Sequence, residues 1–149
     1  MLSRTEKNLV QTTWALVEGS PDEVAALFYG RLFELDPNLR GLFSTDLKEQ
    51  GRKLMVMIGV AVRALDNLEV LVPRVEQLGQ RHASYGVKAE HYATVAAALL
   101  WTLEKGLGDR FTSEVRNAWV SVYTILATTM QKGAGTQSHA GPDVTMRSA

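Results

Sequence analysis

The sequence predicts an all-α protein, and three observations carry that expectation. Apolar residues recur at three- and four-residue spacings along most of the 149-residue chain. No alternating run with hairpin punctuation interrupts them, and proline or a polar N-cap residue stands where several of the helical stretches begin.

The elements follow in order. A first helix over roughly residues 4 to 18 turns Leu9, Trp14 and Leu16 inward and stops at Gly19. Ser20-Pro21-Asp22-Glu23 reads as a capping box with proline at the first helical position. A second helix therefore runs through Val24, Leu27, Phe28 and Leu32 to about Leu35. Asp36-Pro37 repeats the start signal and opens a short helix ending near Gly41, before Leu42-Phe43.

A loop at 44 to 47 leads into a long helix to about Ala64, in which Leu54, Met57, Ile58 and Ala61 keep the helical spacing until Asp66-Asn67 breaks it. Pro73 opens the next helix and Gly86 closes it; Val75, Leu78 and His82 fall at i, i+3 and i+7, on one face. A helix over about 88 to 106, carrying Val95, Leu99 and Leu103, ends at Gly106-Leu107-Gly108. Thr112 caps a last one, with Val115, Trp119, Val122 and Leu126, to about Lys132. About seven helices thus make one packed domain over residues 1 to 132, with no internal repeat. Residues 133 to 149, small, polar and aperiodic, read as a flexible tail.

Composition narrows the function. Sixteen basic and sixteen acidic residues cancel, so no charge footprint points to nucleic acid or an anionic membrane. The chain has no cysteine, which excludes disulfides, thiolate metal sites, thiol nucleophiles and covalent haem attachment. Neither a signal-peptide core nor a membrane-length apolar run is present, and the expected location is the cytoplasm.

His82 is one of only three histidines, and it sits among core-facing residues. A buried imidazole must have both nitrogens satisfied or carry a ligand, because an unpaired buried polar group costs about 1 to 3 kcal/mol. One nitrogen can reach the carbonyl of Leu78, a turn earlier; the other needs a partner. The ordinary alternative is a core histidine bonded to protein or water. Gln50, at the edge of the apolar face of Leu54 and Met57, and Tyr29, on a stripe with Ala25, Leu32 and Phe33, change the balance. Together the three describe a pocket with one strong metal ligand, two neutral hydrogen-bonding groups and apolar walls. Zinc needs three or four protein ligands, and no such cluster stands in the sequence. A haem brings four nitrogens of its own and needs one imidazole.

The segments LFYGRLFELDPNLRGLF (27 to 43), QGRKLM (50 to 55), NLEVLVPRVEQLGQRHASYGVKAEHYATV (67 to 95) and LEKGLGDRFTSEVRNAWVSVY (103 to 123) resemble the globins. Within that family they look most like single-domain bacterial globins close to neuroglobin and to the haem domain of flavohaemoglobins. The resemblance implies a globin fold holding non-covalent haem b, with His82 as the iron ligand and Phe43 packed on the haem. It places Gln50 and Tyr29 on the distal side, Leu54 as a wall of the ligand site, Val87 on the proximal side and Lys53 within reach of a haem propionate. Tyr92 matches a proximal tyrosine that flavohaemoglobins pair with a glutamate. That glutamate has no match here, where residues 131 to 135 are Gln-Lys-Gly-Ala-Gly. His91, on the proximal side, and His139, in the tail, are not equivalent ligands.

The implied function is reversible, high-affinity binding of dioxygen, nitric oxide or carbon monoxide at a pentacoordinate iron, since Gln50 has no imidazole to close the sixth position. Two alternatives stand beside it: a nitric oxide dioxygenase served by a separate flavin reductase, and a gas sensor working through a partner.

Overall fold

A computed structural model of the chain describes residues 2–43, 46–84 and 87–136. Gly86, the first half of the 44–47 loop, and the tail from 137 onward, including His139, lie outside the described residues. Six α-helices form the body: α1 (Arg4–Val17), α2 (Pro21–Leu35), α3 (Leu47–Arg63), α4 (Leu68–Ser84), α5 (Ala89–Leu107) and α6 (Ser113–Thr136). Short 3-10 helices at Pro37–Leu42, Ala64–Asn67 and Gly108–Arg110 join them. The segment opened by Asp36-Pro37 is thus the expected seventh helix in a tighter winding, its start held by the Asp36 carboxylate, which accepts from the Asn38 N–H at 3.2 Å.

Several boundaries differ from the sequence reading. α2 begins at Pro21, but Ser20 makes no side-chain cap; the reciprocal capping box is at α1, where Ser3 Oγ accepts from Glu6 N–H and Glu6 Oε1 from Ser3 N–H. α4 begins at Leu68, not at Pro73, which is inside it. The proline there deprives only the carbonyl of Glu69, in the exposed first turn where water can serve it. Leu16 points outward and is 52% exposed; Val10, Trp14 and Val17 carry the inner face of α1. α6 passes Lys132 and continues to Thr136 because Gly133 is a contact point and not a terminator.

The core has two lobes. In one, α1 lies on α6 with the Trp14 and Trp119 rings 6.1 Å apart and tilted by 57°, and Trp119 Nε1–H donates to Thr13 Oγ1 at 2.9 Å. Leu65 and Leu103 are fully buried beside them. In the other, Phe28, Tyr29 and Leu32 of α2 pack on Leu39 and on Ala98 of α5.

Glycine sets the closest approaches. A Cβ on Gly51 of α3 would stand 2.7 Å from the Ala25 Cβ of α2. α4 and α6 touch backbone to backbone: a Cβ on Gly79 would run into the Met130 carbonyl, and one on Gly133 into that of Glu76. Gly108, the C-cap of α5, has φ 57°, which spares the Cβ strain of a left-handed residue. Among the described residues no helix is long and apolar enough to cross a membrane.

Candidate functional site

The two lobes and α4 enclose a cavity of about 690 Å³. Its side nearest α4 follows from the inward stripe Leu71, Val75 and Leu78, which are buried, and the next residue on that stripe is His82. His82 Nδ1 lies 2.9 Å from the Leu78 carbonyl oxygen. A carbonyl only accepts, so Nδ1 carries the proton and Nε2 keeps its lone pair. Burial lowers the pKa of this imidazole, the Leu78 bond raises it and the neighbouring Arg81 charge lowers it. Burial dominates and favours the neutral, ligand-competent form.

Tyr29 of α2, 4% exposed, lines the same cavity. Its ring is held by Phe43 edge-on at 5.4 Å, Phe33 stacked at 6.0 Å and Phe28 at 5.1 Å. Burial pushes its pKa well above the ordinary 10.0, partly offset by the Gln50 side chain, so the hydroxyl remains a donor. Gln50, 2% exposed, is therefore beside Tyr29, yet its Nε2 has no hydrogen-bond partner and it is absent from the cavity wall.

Phe43, Lys53, Leu54, Val87 and Tyr92 all line the cavity. The structure thus brings seven of the eight sequence-selected residues to the lining of one cavity; Gln50 is not among them. The sequence reading missed Arg52, Arg74 and Arg81, which also line it, and Tyr123, whose hydroxyl donates to the Tyr92 carbonyl at 2.6 Å. Arg74 and Arg81 could have been found from their i, i+7 spacing beside the inward stripe. Tyr123 follows Trp119 by one turn. His91 lines the cavity too, with Nδ1 accepting from the Lys88 N–H at 2.9 Å.

Burial raises the pKa of Tyr123, and the nearby Tyr92 adds to it; burial also raises that of Tyr92. Where the folded pKa exceeds the unfolded one, the folded chain holds its protons longer, so stability is intact below about pH 10 and falls above it. The expected slope is about 1.4 kcal/mol per pH unit for each such tyrosine. Urea unfolding between pH 8 and 11.5 checks this; Tyr29→Phe and Tyr123→Phe should each flatten the alkaline limb.

Among the described residues no three His, Cys, Asp or Glu side chains gather to hold a bare metal ion. One imidazole lone pair, a donor phenol, apolar walls and basic residues along the edge fit a flat apolar group that carries its own metal and has acidic substituents. That is the class of protein the site defines.

Comparison with known proteins agrees. The Globin family model matches residues 26–130. Neuroglobin-1 of Oncorhynchus mykiss and neuroglobin of Danio rerio are each 32% identical over 146 residues, covering 89% of this chain and 92% of the relative. The solved structure of an engineered carbene transferase, a putative nitric oxide dioxygenase from Rhodothermus marinus, superposes with TM-score 0.81 at 26% identity, covering 91% of this chain and 95% of that one. The chain belongs to the globin family, whose fold holds haem and binds gaseous ligands.

Proposed function

We propose that the chain binds dioxygen, nitric oxide or carbon monoxide reversibly and tightly, with haem b held by His82. The observation that carries this reading is the division of labour at His82: Nδ1 is tied to the Leu78 carbonyl, which leaves Nε2 as a lone-pair donor in a cavity that also contains the Tyr29 hydroxyl. When bound, haem would supply an iron with one position free for a diatomic gas.

The chain's own residues supply the rest. The Nδ1–H···O=C bond fixes the ring's orientation and raises its basicity as a ligand. Phe28, Phe33 and Phe43 lock the Tyr29 ring, so its hydroxyl donates without first losing rotational freedom. The Gln50 amide, beside Tyr29 and outside the cavity lining, would serve as a second donor by turning past the phenol. Phe43, Leu54 and Val87 exclude water, and Lys53 is placed to meet an acidic substituent of the cofactor. Gln50 offers no imidazole, which supports an open sixth position. We place the protein in the cytoplasm on the same reading.

A donor bond to a gas ligand that has drawn electron density from iron contributes on the order of 1.5 to 3 kcal/mol. Tyr29→Phe should therefore speed dioxygen release by about one to two powers of ten. Laser-flash or stopped-flow displacement measures it; an unchanged release rate would remove Tyr29 from the site.

A second reading, nitric oxide dioxygenation supported by a separate reductase, is favoured by the likeness to the Rhodothermus marinus protein and by the Tyr29–Gln50 pair. Mixing the oxygenated protein with nitric oxide, alone and then with a flavin reductase and reduced nicotinamide, separates the two. Sustained turnover that collapses in Tyr29→Phe supports the enzyme; one cycle followed by a stall supports the binder. Sensing through a partner would instead appear as a ligand-dependent complex.

A further inference from the structure

Glycine is, after proline, the residue least suited to a helix interior, so each one inside a buried helix asks for a reason. α3 has two of them. Gly59 is covered by the Arg63 guanidinium, whose nearest atom would stand 3.1 Å from a Cβ there. Gly51 is buried and faces α2: a Cβ on it would stand 2.7 Å from the Ala25 Cβ and 3.9 Å from Tyr29 Cε2. Carbon atoms in contact keep about 3.5 to 4.0 Å. The two helices therefore meet at this point with a single methyl between them, contributed by α2.

The crossing adjoins both polar groups of the ligand side. Gln50 is the residue before Gly51, and Ala25 precedes Tyr29 by one helical turn. Gln50 and Tyr29 are 2% and 4% exposed and lie side by side, and of the two only the tyrosine lines the cavity. An amide packed this closely turns only where its neighbours leave room. The spacing of α2 and α3 decides how much room there is.

We propose that Gly51 is a positioning residue for the ligand site: with Ala25 it holds α2 and α3 at the spacing that keeps Gln50 beside the Tyr29 phenol, so that the phenol is the main donor to a bound gas. The proposal rests on the haem-binding reading above. Gly51 is itself outside the cavity lining and acts through Gln50. A side chain at position 51 parts the helices by about an ångström at the crossing. The amide is then free to turn past the phenol into the cavity and become a second donor of full strength. Glycine at this position limits that turn, and gas release is correspondingly faster.

The test moves one methyl across the crossing in the haem-loaded chain. Gly51→Ala adds a second methyl, whereas Gly51→Ala/Ala25→Gly keeps one and contributes it from α3. The melting temperature should fall in the single variant and recover in the swap. Dioxygen release, followed by stopped-flow displacement, should slow by about tenfold in Gly51→Ala, the worth of one charge-assisted hydrogen bond, and return to the parent rate in the swap. Adding Gln50→Leu to Gly51→Ala should abolish the slowing, while Gln50→Leu alone should change release far less. The carbon monoxide adduct gives a signature that general loosening would not. Its infrared stretch should gain a component at lower wavenumber in Gly51→Ala, because a donor aimed at the ligand oxygen favours back-donation from iron, and Gln50→Leu should remove that component. Should Gly51→Ala fail to fold, Ala25→Ser widens the crossing by less from the other helix and should show the same Gln50-dependent slowing. Release that is unchanged or faster, a swap that behaves as the single variant, or a slowing that survives Gln50→Leu would overturn the proposal and leave haem binding standing. A chain that takes up no haem would overturn that reading, and this proposal with it.

Discussion

Gly79→Ala is expected to lower the stability of the fold by about 3 kcal/mol, the upper end of what an overpacked core costs. The added methyl meets the Met130 carbonyl, carbon and Cα of α6, and backbone cannot turn aside as a flexible side chain can. α4 and α6 must separate, and the melting temperature should fall by roughly 10 °C for a chain of this size. Gly30→Ala is the control. Gly30 is exposed on α2 with nothing within 4 Å of a built Cβ, so the same change there should stabilise by about 0.5 to 1 kcal/mol. Equal effects at the two positions would mean that the helices do not meet as described.

His82→Gly should abolish stable haem retention while leaving the helices folded. The substitution removes the imidazole bonded to Leu78 and opens space for a free one. Added imidazole should restore the bound spectrum, a rescue that a merely misfolded variant would not show. Loss of one metal bond should weaken retention by at least a hundredfold, on the order of 3 kcal/mol or more. If haem remains bound and five-coordinate in His82→Gly, another residue is the ligand, and His91, the other described histidine on the cavity wall, becomes the first to test.

The sequence made the helices legible because their signals are local. Apolar spacing located α2, α3 and α5, and the stripe through Val75 and Leu78 placed His82 on the cavity side before any contact was known. What it missed depends on partners distant along the chain. Leu16 carries the same apolar character as Val17, and only the placement of distant helices decides which of them is covered; Val17 lies against Gly106 of α5. Pro73 reads as a start signal by local rule, yet a helix already under way absorbs it when the orphaned carbonyl is exposed. Gly133 reads as a stop, and it is instead where two backbones meet.

The candidate site divides along the same line. His82 and Tyr29 were legible as residue types at helical spacing, whereas Phe43 and the wall role of Leu54 came from the family resemblance. The offset of Gln50 from the cavity wall was not, because it depends on how α2 and α3 close around Gly51 and Ala25. That Arg74 and Arg81 of α4 share the cavity edge with Arg52 and Lys53 of α3 was not legible either, because it depends on how the two helices meet.

The α4–α6 crossing bears on how freely this site can change over time. Most helix pairs are separated by interdigitated side chains, so each core substitution resets their spacing a little. Here the helix that carries His82 is seated on bare main chain only three residues before the imidazole. Its height relative to α6 is set by atoms that every amino acid shares. Cavity-lining positions such as Val75, Leu78, Leu126 and Ala127 can then drift in size with little effect on where the imidazole stands. The pocket's contour is left open to variation, and its anchor point is not.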